Sequence, residues 1–378
     1  MHGLSIKIND LRASQEPSSD IYVVEDTNGA DDGVKALFGL MQEHGIRLYK
    51  GSESEGLVYQ DSVVIVKVNS QWNQRGGTNT DLVKSIITEI VGHPNGFTGE
   101  VVIADNGQAQ YGSSRRGGSL NYAENNAVDP AQSNQKVADS FTEYNVSTYL
   151  WDDITTTRVE EYENGDSKDG YIIQDEADPE TGIRVSYPKF RTKNGAMISF
   201  RKGVWDHDEE VYDSERLVVF NVPVFKAHFI YGVTACMKHY MGVVSDKLQG
   251  GGAHRSIRNG GMGTMMAETR MPDLNILDGI FVNASCGSGP SCSYDDASNL
   301  NLVMASVDPV ALDCWATENV LMEAAKMQGI TDLGKFDPYS RVSGSHGEWM
   351  KKSLDQMQRA GLQVTDDRDR MNVYVTKT

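Results

Sequence analysis

The chain has 378 residues, 39% hydrophobic and 23% charged, which excludes a disordered or fibrous protein and leaves room for one large or two ordinary domains. Fifty-three acidic against 35 basic residues give a formal net charge of −18, a field that repels phosphate backbones and argues against nucleic acid as a partner. No apolar run approaches the roughly 18–20 residues of a membrane helix, and the first residues show no basic segment followed by an apolar core. A soluble protein without membrane insertion is expected, either cytoplasmic or exported with a signal peptide removed.

Residues 21–24 (IYVV) predict a strand, and 31–41 carry helical spacing at Val34, Leu37, Phe38 and Met41, with Gly45 as a stop. Val63–Val68 (VVIVKV) is a nearly continuous β-branched run, as in a strand buried on both faces. Asn79 or Thr80 then caps a helix with apolar positions Leu82, Val83, Ile86, Ile87, Ile90 and Val91. Residues 101–104 form the next strand, and this strand–helix–strand order predicts a parallel pair.

Residues 108–215 differ in texture, being polar and rich in Gly, Asn, Asp, Ser and Tyr. Turn signals at 178–182 (DPETG) and 193–195 (KNG) predict β-hairpins, so the segment reads as an insertion or cap subdomain. The α/β pattern resumes with a strand at 216–222, a helix around 233–241, a glycine-dense loop from 250 to 263, and strands at 274–282 and 302–306. Asp308-Pro309 opens a helix, another spans 346–358, and a strand at 371–375 closes the chain. The expected fold is α/β: a mostly parallel central sheet flanked by helices, built from 1–107 and 216–378, with a polar β-rich insertion at 108–215.

The densest candidate constellation runs from Lys226 and His228 through Lys238 and His239 to His254 and Arg255, beginning where a strand ends. Ligands of open α/β sheets sit beyond the carboxyl ends of strands. There imidazoles can ligate metal or move protons, and lysines can hold an anion or form a covalent adduct. His239 packed in a core and solvated lysines are the plainer alternative. Lys67 and Asn69 stand at the end of the VVIVKV strand, and Thr80 at a helix start whose amides can receive an anion. Lys67, within a buried strand, needs a partner. Asp105, Asp278, Asp308 and Asp313 are carboxylates at strand ends or helix starts. Asp278 is either paired internally or directed into a cleft.

None of the four cysteines, Cys236, Cys286, Cys292 and Cys314, forms a C-x-x-C pair, so neither a zinc ribbon nor an iron–sulfur cluster is expected. Cys286 and Cys292 lie in a small-residue loop that leaves both a local disulfide and two free thiols open. Neither a phosphate-binding loop nor a G-x-S-x-G elbow occurs.

These segments carry a pattern: VVIVKVN, TNTD, VVIADNG, VPVFKAHFIYGVTACMKHYMG, PDLNILDGI and MASVDPVALD, in that order. The chain thereby resembles the family named domain of unknown function 362, most specifically in K-x-H-x3-G-V-T-x3-K and S-x-D-P-V-A-x-D. Some members carry cluster-binding cysteine motifs, which this sequence lacks. His228, Lys238 and His254 stand ten and sixteen residues apart, which is similar to the H…K…H spacing of the lactate-racemase family. That resemblance implies Lys238 as tether of a nickel pincer cofactor, His254 as metal ligand and His228 as proton carrier. The expectation is an enzyme-like protein that binds a small anionic ligand, with a divalent metal as a further candidate. His228, Lys238 and Lys226 are the catalytic candidates, and Lys67, Asn69, Thr80, Arg255 and Asp278 the ligand-binding ones. His228 and His254 are the metal candidates. The alternative is a non-catalytic binding or surface protein whose polar insertion makes the contacts.

Overall fold

The computed structural model describes residues 17–51, 55–108, 118–285 and 291–378. The first part of the chain supplies β1 (Ser19–Glu25), α1 (Gly33–Glu43), β2 (Val63–Val68), α2 (Thr80–Val91), β3 (Glu100–Asp105), α3 (Asn134–Asp139) and β4 (Asn145–Leu150). A second group of strands follows: β5 (Gly170–Ile173), β6 (Ser186–Arg191), β7 (Met197–Ser199), β8 (Gly203–Asp206) and β9 (Val211–Asp213). Then come β10 (Leu217–Val222), β11 (Val224–His228), β12 (Gly232–Thr234), α4 (Cys236–His239), α5 (Gly252–Ser256) and α6 (Gly261–Glu268). The chain closes with β13 (Leu274–Asn283), β14 (Ser298–Ser306), α7 (Pro309–Ala316), α8 (Met322–Met327), α9 (His346–Arg359) and β15 (Met371–Lys377).

The central sheet has the order β15-β1-β14-β13-β10-β2-β3-β4, with β11 alongside β13 and β12 alongside β11. Its middle is parallel: β2 pairs with both β3 and β10, and β10 with β13. β14 runs antiparallel to β13 and β1, so the sheet is mixed but mostly parallel, as the buried β-branched runs predict. The β2 side chains alternate between two cores. Val64, Val66 and Val68 pack with α1 and α2, while Val63 and Ile65 pack against aromatic residues of the second sheet. Both faces of β2 being covered is why its sequence shows no polar alternation.

The polar segment 108–215 divides between two roles. β4 extends the central sheet beside β3, and only β5–β9 form the separate antiparallel sheet. The turn at 193–195 joins β6 to β7, with Gly195 at φ 102°, a region that favours glycine. This second sheet is part of the main core. Trp151 meets Phe190 and Phe200 edge-on at centroid distances of 5.9 and 5.8 Å, in one cluster with Val63, Val219 and Met237.

Two local expectations are corrected. The glycine-dense stretch 250–263 is largely helical, as α5 and α6: Gly251 and Gly260 take positive φ at the helix starts, and Gly261 and Gly263 permit close approach to Ser256 and Ser353. The helix expected around 233–241 is shorter, because Gly232, Val233 and Thr234 pair with β11 before α4 begins. Among the described residues no helix is long and apolar enough to cross a membrane.

Trp151→Ala empties an aromatic site shared by both sheets, so urea unfolding should remain a single transition destabilised by about 3–5 kcal/mol. A separate early transition for residues 170–213 would show that the second sheet is an independent unit.

Candidate functional site

Past β10 the chain turns at Pro223, which has no N–H to give a ladder, and β11 continues against β13. β11 folds back on β12 with Lys226 opposite Thr234, and α4 follows at once. Lys226, Thr234, Lys238 and His239 are thereby brought to one narrow cleft beside the carboxyl ends of β2 and β3, with Asn69 and Asp105 on its other wall. The cleft holds about 20 Å³, room for little more than one water-sized group. A wider groove of about 520 Å³ runs between α1 and α2, but its Asp31, Lys35, Lys84 and Glu89 mix both signs of charge on the solvent side.

Each lysine sits in a different setting. Lys67 is fully buried and donates to Asp105 Oδ1 at 2.9 Å, while Asp105 Oδ2 accepts from the Ser70 amide and hydroxyl at 2.8 and 2.9 Å. Burial drives the Lys67 pKa down, and Asp105 opposes this. Gly242 seals the pair: a Cβ there would lie 2.2 Å from Asp105 Oδ1 and 2.6 Å from Lys67 Nζ. Lys226 donates to the Gly76 carbonyl at 2.7 Å, and burial pushes its pKa down to about 8. Lys238 is 7% exposed, and its Nζ lies 5.6 Å from the Tyr231 ring centroid. Among the described residues no hydrogen-bond acceptor serves that amine. Burial first and Lys226 second push its pKa down to about 7.

The histidines also differ. His228 Nδ1 accepts from the amides of Ile230 and Tyr231 at 3.2 and 3.3 Å. A neutral ring therefore carries its proton on Nε2, where it donates. Burial, then Lys238, Lys226 and His254, hold this imidazole far below its ordinary pKa, so it stays neutral. His254 pairs through Nδ1 with Asp246 Oδ2 at 2.7 Å, and its carbonyl accepts from the Tyr231 hydroxyl at 2.6 Å. Burial alone would raise the Asp246 carboxyl, but the His254 ring and the amides of His254 and Ala253 outweigh it, and its pKa is lowered. With Nδ1 given to Asp246, Nε2 is the basic nitrogen of His254. His239 Nδ1 lies 2.7 Å from Asn221 Oδ1; because the Asn221 amide donates to Asn275 and Cys236, Nδ1 carries the proton. Among the described residues His239 Nε2 and Thr234 Oγ1 are buried without a hydrogen-bond partner, and burial, then Lys67, hold the His239 imidazole well below its ordinary pKa.

The expected ligand residues are therefore separated by the fold. Lys226, Lys238 and Asn69 line the cleft, and His228 stands close enough to both lysines to feel their charge. Lys67 is engaged with Asp105, and it is Asp105 that lines the wall. Thr80 exchanges hydrogen bonds with Gln132 and opens α2. Asp278, pushed up to about 6 by burial, accepts from the amides of Asn79 and Ile280 and so anchors the cap of α2 from beneath. Arg255 is exposed on α5 and donates to the Gly250 carbonyl. Asp246 and Thr234 are site residues that sequence reasoning missed. Asp246 precedes His254 by eight residues with no motif to mark it, whereas Thr234 lay inside the G-V-T triplet.

A metal shared by His228 and His254 would need a lone pair on His228 Nε2, which the two amides at Nδ1 leave protonated. Among the described residues no three His, Cys, Asp or Glu side chains are grouped to hold a metal ion. Cys286 lies outside the described residues, so its pairing with Cys292 does too.

The S-x-D-P-V-A-x-D motif locks this site from behind. Asp308 caps α7, accepting from Val310 and Ala311, and its second oxygen holds the Thr365 amide. Asp313, pushed up to about 7 by burial, accepts from the amides of Cys236 and Met237 at 2.8 and 2.9 Å. The two motifs thus meet where α4 begins. Residues 207–318, which carry both of them, match the family model described as Domain of unknown function (DUF362), and this identifies the family that the segment represents. Neither a curated protein nor a solved structure matches the chain.

Lys238 has a folded pKa lowered to about 7 against about 10.4 unfolded. Between those values the unfolded chain binds the extra proton, so stability rises with pH, by about 1.4 kcal/mol per unit per lysine. The window from pH 8 to 9.5 lies above the raised carboxylates and below tyrosine ionisation. Urea titrations there should show this slope, reduced by about one proton in K238M. An unchanged slope would mean that Lys238 is charged at neutral pH. Asp105→Asn should cost about 3–5 kcal/mol by leaving Lys67 buried without its counter-charge.

Proposed function

We propose that the protein binds a small anionic molecule at the carboxyl ends of β2, β3 and β11 and acts on it as an enzyme. One observation carries the reading: Lys226 and Lys238, both buried, converge on one cleft, and the Lys238 amine has no acceptor among the described residues. A solvated or merely structural lysine has no reason to be there, because burying an amine without a partner costs several kcal/mol. An anion entering the cleft would restore protons to the amines and offset that cost. Neutral His228 would donate to the anion, and His254, oriented by Asp246, would supply the acid/base group. A divalent metal, a further candidate from the sequence, is not required by this reading, which rests on the anion alone. A non-catalytic surface protein draws less support, since β5–β9 direct Phe190, Ile198 and Phe200 into the common core.

Thermal unfolding in formate, acetate or inorganic phosphate, compared with chloride at equal ionic strength, tests the reading. At least one of these anions should raise Tm by several degrees at pH 7, less at pH 9, and not in K226M or K238M. No shift with any of them, or an equal shift in both variants, would overturn it.

A further inference from the structure

Two amines sharing one desolvated cleft cannot both hold a proton cheaply, because like charges at short range repel strongly where water is scarce. The surroundings are unequal. Lys226 is held by the Gly76 carbonyl, an acceptor at 2.7 Å that favours its ammonium form. Among the described residues Lys238 has only the Tyr231 ring, at 5.6 Å. The proton is therefore given up at Lys238, which is left as a neutral amine beside a cation, the setting that turns a lysine into a nucleophile.

The rest of the cleft matches that role. Thr234, opposite Lys226 in the ladder, carries a buried hydroxyl with no partner among the described residues. His239 Nε2, unprotonated because Nδ1 holds the ring proton toward Asn221, is likewise buried and unpartnered. An anion site alone needs no hydroxyl able to relay protons beside its amines, whereas addition to a carbonyl does. Burial and the neighbouring Lys67 hold the His239 imidazole well below its ordinary pKa, so its Nε2 lone pair serves to orient the attacking amine and not to keep a proton.

We propose that Lys238 is a carbonyl-trapping nucleophile, forming an imine with a small aldehyde or ketone that carries an anionic group. The inference rests on the anion-binding reading and names its substrate class. Lys226 holds the anionic group. Lys238 Nζ attacks the carbonyl carbon, a C–N bond forms, and the carbonyl π pair moves to oxygen, which accepts a hydrogen bond from the Thr234 hydroxyl. The two protons of the attacking nitrogen pass to that oxygen one after the other through the Thr234 hydroxyl, which gives up one proton as it takes the next. The oxygen leaves as water as the nitrogen lone pair closes the C=N bond. Amine and carbonyl become imine and water, with no oxidant or further reactant. Because the cleft has only about 20 Å³ between these side chains, it must widen to seat both ends of even the smallest such molecule.

Glyoxylate, the smallest anionic aldehyde, is the probe. The full chain is incubated with glyoxylate and cyanoborohydride at pH 7, digested and mapped by mass spectrometry. A reduced adduct should form on Lys238 at least tenfold faster than on any exposed lysine, and its rate should level off above pH 8 while exposed lysines keep accelerating. K226M should keep trapping at Lys238 but need at least tenfold more glyoxylate, and propionaldehyde, which has no charge, should react at Lys238 no faster than with K226M. K238M, verified as folded by circular dichroism, should lose the adduct. Modification no faster at Lys238 than at exposed lysines overturns the proposal. If formate still raises Tm in that case, anion binding stands and only the imine is lost; if formate also fails, both fall.

Discussion

The contact on which the site depends is the Asp313 carboxylate, fully buried, accepting from the amides of Cys236 and Met237. α4 has only four residues, too few to form alone in water. It exists because a residue 77 positions away in the chain satisfies its first amides. The same few residues place Lys238 in the cleft and His239 against Asn221. Asp308 fixes α7, α7 presents Asp313, and Asp313 fixes α4: one motif builds the platform on which the other stands. Burial pushes the carboxyls of both aspartates upward, so ionising them costs the fold and their contribution to stability falls as pH rises toward neutrality.

Much of this was legible in the sequence wherever a single physical demand acted alone. VVIVKV is a strand covered on both faces, and the structure has it so. The lysine in its midst required a partner, and Asp105 supplies it. The helix after Asn79 and the cap at Asp308-Pro309 followed from spacing and capping chemistry. Reading failed where two demands competed. The glycines from 250 to 263 suggested a loop by composition, yet they serve helices packed so closely on Ser256 and Ser353 that larger residues would collide. The polar texture of 108–215 concealed a core strand, because β4 is an edge strand with one half-exposed face.

The site was legible as a neighbourhood and less so as an arrangement. Lys226, His228 and Lys238 are near one another because a β-hairpin and a short helix follow in sequence, and proximity of that kind is visible in a string of letters. The division of labour is not. Which nitrogen of His228 keeps its proton depends on two amides of the turn at 230 and 231. Asp246 orients His254 through a loop whose path no periodicity announces. Lys67 and Asp278, both plausible ligands by position, are consumed by internal partners that only the fold brings to them.

Lys67, Lys189, Lys226 and Lys238 all lie inside the molecule. Buried carboxylates, among them Asp105, Asp278, Asp308 and Asp313, accompany them, and the surface of a protein carrying −18 remains strongly acidic around this interior. For a small anion this shell is a barrier around an attractive interior: repulsion at a distance, capture on contact. Added salt shortens the reach of the outer field to less than about 10 Å, while pairs in the desolvated cleft are screened much less. Ionic strength therefore opens the approach to such a site more than it weakens the hold. That is the reverse of the usual behaviour of anion-binding surfaces.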